Sequence, residues 1–290
     1  MEQTPNASAL FAAHQRSFDA NRYVYPVLSR RSGGISIGVN LNLDKICNFD
    51  CIYCQVDRSS LGPKQKVDLP RLVDELERMV DWITSGRIYE ETKFRDVPPA
   101  LRRLNDIALS GDGEPTTYPN FAEIVAACAE LRSRRGLAAM KLVLITNATM
   151  FHREPVRRGL AILDANHGEI WAKLDAGTEA YYREVDRTAV PFSRILANLA
   201  DAARIRPIVI QSLFMRVRGV ATPPAEQEAY CARLGEIVAA GGKIQLVQVH
   251  TIARQPAESW VGPLSHEEVD ALADVVRQRT GLPVAAFYGG

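Results

Sequence analysis

Cys47-Asn48-Phe49-Asp50-Cys51-Ile52-Tyr53-Cys54 gathers three of the chain's five cysteines inside eight residues, spaced C-x3-C-x2-C. The segment before it, Ile35-Ser36-Ile37-Gly38-Val39-Asn40-Leu41, is apolar and strand-like, so the cysteines fall on the loop that leaves a strand. Three thiolates on one loop can hold three irons of a [4Fe–4S] cube and leave the fourth without a protein ligand. A cube capped by four cysteines is suited to carrying electrons. An open iron can also bind and activate a molecule, as the open position of a catalytic zinc does.

Two other readings of the cysteines compete with this one. Structural zinc wants a fourth ligand and two ligand pairs. No second pair exists, and His14, His152, His167, His250 and His266 all lie away from the triplet. A plain electron-transfer cluster would take Cys128 or Cys231 as its fourth ligand. Cys128 shares a helical stripe with Phe121, Ile124 and Val125, and Cys231 one with Leu234 and Val238, so both read as core. Disulfides are not expected of few, clustered cysteines without a secretion signal. The open cluster is the preferred reading.

The spacing, with Tyr53 at an aromatic position before Cys54, resembles the C-x3-C-x-aromatic-C signature of the radical S-adenosylmethionine superfamily. That resemblance implies a [4Fe–4S] cluster on Cys47, Cys51 and Cys54, catalytic in the sense that its open iron chelates S-adenosylmethionine, with Tyr53 helping to hold that cofactor. One electron then cleaves the sulfonium and yields a 5′-deoxyadenosyl radical that abstracts hydrogen from substrate. It also implies a (βα)6 partial barrel and a flavodoxin- or ferredoxin-like reductase as electron donor. Cluster potentials span roughly −700 to +450 mV, tuned by charge, sulfur hydrogen bonds and exposure.

The remainder of the chain is consistent with an α/β fold of that size. Its 290 residues can bury a large core in one barrel domain. Hydrophobic residues make up 47% and charged residues 24%, as in soluble globular proteins, and a net charge of +1 gives no global attraction for nucleic acid or acidic membrane. The first residues lack a signal-peptide pattern and no apolar run approaches the roughly 20 residues of a membrane span, so a cytoplasmic protein with no membrane partner is expected.

Residues 1–34 read as an arm or cap, 35–255 as the barrel with an insertion at 87–104, and 256–290 as a C-terminal helix and strand packing on it. The stretch Asp57–Lys64 reads as a polar, flexible loop. A helix is predicted from Asp68, an N-cap with Pro70 in the first turn, to about Gly86. Strands are predicted at 106–110, 141–146, 169–174, 207–214 and 243–250, with a seventh at 283–288. Helices are predicted near 119–135, 153–163, 178–204 (broken at Pro191), 223–240 and 265–279. Such alternation argues for a parallel sheet built from six βα units.

Ligands of such sheets sit beyond the carboxyl ends of the strands. Strand two ends Ser110-Gly111-Asp112-Gly113-Glu114-Pro115-Thr116, which resembles the family's Gly-Gly-Glu motif and implies that Gly113 and Glu114 receive the methionine amino group. As residues alone, Asp-Gly is also an ordinary turn. Asn147, at the end of strand three, can bond ribose or carboxylate or make an Asx turn. Lys173 and Asp175 alternate to one side of strand four. They suit the methionine carboxylate and ribose hydroxyls, or else a salt bridge. Gln211 or Ser212 should face the pocket, and His250 or Arg254 is placed to touch adenine or substrate, although a lone histidine at a strand end is more often a satisfied structural residue. Arg30-Arg31 is the basic pair placed to contact an anionic substrate, whereas Arg102-Arg103, Arg134-Arg135 and Arg157-Arg158 read as solvated surface.

Within the superfamily, Ser110–Pro119 and Lys173-Leu174-Asp175-Ala176 look like the branch of the wyosine-base synthases of tRNA. Those enzymes carry a second cluster and use a lysine to bind pyruvate. This chain has no spare cysteine group, so that reaction is not carried over. The substrate remains a small molecule, nucleotide, RNA or peptide. The rival classes are an iron–sulfur electron-transfer or binding protein without S-adenosylmethionine chemistry, and an RNA-binding regulator whose affinity would fall steeply with salt.

Overall fold

The computed structural model describes residues 18, 20–58, 62 and 66–289. Residues 1–17 of the expected arm, and part of the expected loop at 57–64, lie outside the described residues.

Strand β1 (Val24–Ser29) pairs antiparallel with β2 (Gly34–Val39). From β2 the sheet continues in parallel through β3 (Leu104–Leu109), β4 (Lys141–Thr146), β5 (Gly168–Lys173) and β6 (Ile208–Leu213). Two short strands follow, β7 (Arg216–Val217) and β8 (Val220–Ala221), which with β10 (Val261–Gly262) make a small antiparallel sheet. Strand β9 (Ile244–His250) lies parallel to β6, and β11 (Val284–Phe287) lies parallel to β9. The main sheet therefore has eight strands in the order β1-β2-β3-β4-β5-β6-β9-β11, curled into a partial barrel of the TIM type. The six predicted parallel strands and the seventh at 283–288 are present. Residues 24–29 of the expected arm, by contrast, form a strand that extends the sheet edge, with Pro26 in its middle.

Each helix shows why its segment folds as it does. Helix α1 (Leu69–Thr84) starts where the Asp68 carboxylate accepts the Arg71 N–H at 3.1 Å. Its stripe of Leu72, Leu76, Met79, Val80 and Ile83 is buried. Helices α2 (Phe121–Arg134) and α3 (Glu154–Ala165) pack on each other, and α3 packs on β5. The long helix expected over 178–204 is two, α4 (Glu179–Asp186) and α5 (Phe192–Ile205). Arg187 turns the chain with φ 44° and Pro191 caps the second helix. Helices α6 (Pro224–Ala239) and α7 (His266–Thr280) complete the outer layer.

Alternation divides the strands. Outward residues such as Ile35, Ile37, Ile107, Leu142, Ile170 and Ile210 join the helices in the main core, each fully buried aliphatic contributing about 1.5–3 kcal/mol. Inward residues Ala108, Val143, Trp171 and Val209 form a separate apolar floor inside the barrel. The segment at 87–104 buries Ile88, Phe94 and Val97 in the main core. No helix among the described residues is long and apolar enough to cross a membrane.

Candidate functional site

The cavity of the barrel opens at the carboxyl ends of the strands, where chain order brings six loops together. Its lining includes Cys47, Cys51, Cys54, Tyr53, Arg58, Asp112, Gly113, Glu114, Asn147, Lys173, Gln211, His250 and Arg254. All three loop cysteines are free and partly buried; Cys128 and Cys231 are buried in the helix layer and do not line the cavity. Val238, expected beside Cys231 on an apolar stripe, is 43% exposed; the buried stripe runs through Leu234 and Ile237 instead.

The cysteine loop is held from several sides. Ile52 N–H donates to Val185 O at 2.9 Å and Asp50 N–H to Asp186 O at 3.1 Å, anchoring it to the end of α4. Asn48 donates to Thr149 Oγ1 at 2.7 Å and accepts from the Asn147 amide at 2.8 Å. Gly113 presses on the loop so closely that a Cβ there would sit 2.2 Å from the Ile46 carbonyl oxygen. The sulfurs also receive hydrogen bonds: Phe49 N–H to Cys47 at 3.5 Å, and Arg58 Nη1–H to Cys54 at 3.1 Å. Arg58 additionally donates to the carbonyls of Lys45 and Asp112, tying the cysteine loop to the β3 loop.

Burial pushes the thiol of Cys47 up, and that of Cys51 well up, the second aided by the carboxyl of Asp186, to which its sulfur lies at 3.4 Å. As free groups these cysteines are protonated thiols, and a bound metal would release their protons. No group of three His, Cys, Asp or Glu side chains among the described residues surrounds a single ion. Thiols that ligate separate irons of a cube need no such convergence. The donor set fits an iron–sulfur cluster: three soft sulfur ligands on one anchored loop, facing one walled cavity, with cationic and N–H donors already at two of the sulfurs.

Glu114 is buried beneath this loop. Oε1 accepts from Thr116 N–H at 3.1 Å, from the Thr116 hydroxyl, and from Thr146 Oγ1–H at 2.6 Å; Oε2 accepts Asn147 N–H at 2.7 Å. Burial raises its pKa while those donors oppose the rise. The Asn147 side chain is taken up by Asn48 and Thr149. Lys173 reaches into the cavity and donates to Tyr53 Oη at 2.8 Å, and the Tyr53 hydroxyl donates to Asp175. Asp175 itself does not line the cavity; Leu213 N–H fills its other oxygen at 2.7 Å. Burial alone would lower the Lys173 pKa, but the carboxyls of Asp175 and Asp186 and the nearby cysteines raise it. The ammonium is thereby kept charged. Gln211, not Ser212, faces the cavity; the Ser212 hydroxyl donates to Leu174 O at 2.6 Å.

Sequence reading missed Arg58, Asp186 and Asn48. Arg58 sits four residues after Cys54 in a polar stretch expected to be a loop, and a lone cation directly after the triplet is the one signal that pointed to it. The basic pairs 102–103, 134–135 and 157–158 are exposed, as expected.

The sequence profile of the radical SAM superfamily matches residues 41–217, more than half the chain. A "UPF0026 protein" of Helicobacter pylori is 25% identical over 250 residues, covering 84% of this chain and 70% of its own length. The "GTP 3',8-cyclase 1" of Pseudomonas aeruginosa is 26% identical, covering 87% of this chain and 65% of its own. In fold, a radical SAM methyltransferase from Sphaerobacter thermophilus superposes over 91% of this chain and 69% of its own with a TM-score of 0.63 at 16% identity. TYW1 with a lysine-pyruvate adduct superposes over 84% and 73% with a TM-score of 0.55 at 15% identity. The chain spans about two thirds of the two sequence relatives' lengths. It belongs to the radical SAM superfamily and is an enzyme of that family, whose chemistry rests on an iron–sulfur cluster and S-adenosylmethionine.

Proposed function

We propose that Cys47, Cys51 and Cys54 hold a [4Fe–4S] cluster with one iron open to S-adenosylmethionine, and that the enzyme abstracts hydrogen from a substrate held deeper in the barrel. The observation that carries this reading is the meeting of all three thiols and the Gly113–Glu114 loop in one cavity. Cluster and S-adenosylmethionine together supply one-electron cleavage of the sulfonium and hydrogen abstraction. The chain's own residues bind, orient and shield. Lys173 offers a charged ammonium to a carboxylate. Glu114 Oε2 accepts one hydrogen bond and keeps a lone pair for an ammonium. Tyr53 and Asp175 fix the Lys173 head group, and Asn147 fixes the cysteine loop through Asn48, so these three act by positioning. Arg58 stabilises negative charge on the Cys54 sulfur. Electrons come from a flavodoxin- or ferredoxin-like reductase.

The test is anaerobic reconstitution of the full chain, reduction, and chromatography for 5′-deoxyadenosine. Wild type should form it and Cys51→Ala should not. A reduced, iron-replete protein that leaves S-adenosylmethionine intact would refute the reading.

A further inference from the structure

The turn Gly111-Asp112-Gly113 holds a carboxylate where a Gly-Gly-Glu motif has glycine, and that carboxylate has a dedicated partner. Asn40, the residue after β2, is 2% exposed and lies between the cysteine loop and the β3 turn. Its Nδ2–H donates to Asp112 Oδ2 at 2.7 Å. Its Oδ1 accepts Asp112 N–H and Asn42 N–H, each at 3.1 Å. The Asn40 N–H donates to Tyr23 O at 2.8 Å, so the side chain projects from backbone already tied to the first hairpin.

One amide therefore spans two loops. Both lone pairs of Oδ1 are taken by backbone N–H groups, one on the approach to Cys47 and one in the β3 turn. Asn40 and Asp112 exchange two hydrogen bonds, which sets the rotation of the turn as well as its distance. The fit is close: a Cβ on Gly111 would sit 2.2 Å from Asn40 Oδ1, and one on Gly113 would sit 2.7 Å from Asn42 Cβ. Glycine flanks Asp112 on both sides because the turn is pressed against Asn40 and against the segment that Asn40 holds. Arg58 adds a third tie, Nη2–H to Asp112 O at 3.3 Å. Asn40 does not line the cavity, so it acts through the turn and not by contact with a ligand.

Resting on the proposed placement of the S-adenosylmethionine ammonium at Gly113–Glu114, we propose that Asn40 is a positioning residue for that ammonium. Its amide locks the Asp112 backbone and carboxylate, so the Gly113–Glu114 turn is set before the ligand arrives. A turn ordered in advance costs less to order on binding, and the lock is therefore expressed in affinity. It serves the amino-acid end of the ligand and not the adenosine end.

The experiment is calorimetric titration of the reconstituted full chain with S-adenosylmethionine and with 5′-methylthioadenosine, which keeps the adenosine and the sulfur but lacks the amino and carboxylate groups. Asn40→Ala should weaken S-adenosylmethionine roughly tenfold and leave 5′-methylthioadenosine unchanged. Asn40→Asp keeps both acceptors but sets a second carboxylate against Asp112, and should weaken S-adenosylmethionine at least as much. Asn40→Asp combined with Asp112→Asn restores a donor opposite an acceptor and should recover most of the loss. The rate of 5′-deoxyadenosine formation at saturating S-adenosylmethionine should stay near wild type in these variants while KM rises. Wild-type S-adenosylmethionine affinity in Asn40→Ala, an equal loss for both ligands, or no recovery in the exchanged pair would each overturn the proposal. Should Asn40→Ala not fold, Asn40→Asp and the exchanged pair carry the comparison. S-adenosylmethionine binding without 5′-deoxyadenosine formation sinks the proposed function alone. Formation of 5′-deoxyadenosine with wild-type affinity in the Asn40 variants sinks this lock alone.

Discussion

Gly113→Ala tests how the β3 loop shapes the cysteine loop. The added methyl would start 2.2 Å from the Ile46 carbonyl oxygen and 2.7 Å from Asn42 Cβ. Ordinary contact is about 3.5 Å, so Ile46 must retreat by more than 1 Å. Neither obstacle is the far end of a flexible side chain, and Cys47 follows directly. Overpacking of this kind costs about 1–3 kcal/mol, or roughly 2–10 °C in Tm for a chain of this size. Because the strain falls on the loop rather than on the helix-covered core, the larger effect should be on iron. Reconstituted Gly113→Ala should hold less iron per chain and bind S-adenosylmethionine more weakly. Gly235→Ala is the control: Gly235 lies on the exposed face of α6 with open space at its Cβ, and alanine there should stabilise by about 0.5–1 kcal/mol. Iron content, S-adenosylmethionine affinity and Tm would be measured together. A Gly113→Ala protein that loads iron and binds S-adenosylmethionine like wild type would show that the close approach has no bearing on the site.

Arg58→Gln removes a cation and an N–H donor from the Cys54 sulfur, so a potentiometric titration followed by electron paramagnetic resonance should find a more negative cluster midpoint; an unchanged midpoint contradicts that role. Lys173→Met takes the ammonium away from the buried Tyr53–Asp175 pair. Denaturant unfolding should show a loss of about 3 kcal/mol, and a loss under about 1 kcal/mol would mean Asp175 does not depend on Lys173. Burial raises the native pKa of Asp106, against the Ser36 hydroxyl it accepts from and the charge of Arg31. A carboxyl raised in this way binds its proton more tightly in the folded chain, so its stabilising contribution is full below about pH 4 and is lost as pH rises through the folded value. The Tm of Asp106→Asn relative to wild type should therefore climb as the pH rises above about 4, and a pH-independent difference would show Asp106 to be unperturbed.

The barrel was legible because its strands and helices each carry a period that local packing enforces. Leu72, Leu76 and Val80 mark one helical face, and Lys141–Thr146 is an isolated apolar run whose ends coincide with those of β4. The short sheet of β7, β8 and β10 was not legible: its strands are two residues long, and Arg218 and Gly219 turn with φ 50° and 82° to make a hairpin too small to show periodicity. The thiols and the Gly113–Glu114 loop could be named from spacing, because a cluster loop must be local in sequence. Their supports could not. Asp186 reaches Cys51 from 135 residues away and Asn147 reaches Asn48 from 99, and such pairings exist only once the sheet has curled. Asp175 shows the limit of the alternation rule: it shares a parity with Lys173, but the strand ends at 173 and the backbone then turns it behind Tyr53.

A barrel left open on one side has two sheet margins, β1 and β11, and a long flat margin is a template on which another chain can add. Both margins are poor templates here. Pro26 in the middle of β1 has no N–H to give to a newcomer, and β11 runs for only four residues before Tyr288 is engaged by Arg30. The barrel is left unclosed between β1 and β11 without offering either margin as a ready template for copies of itself.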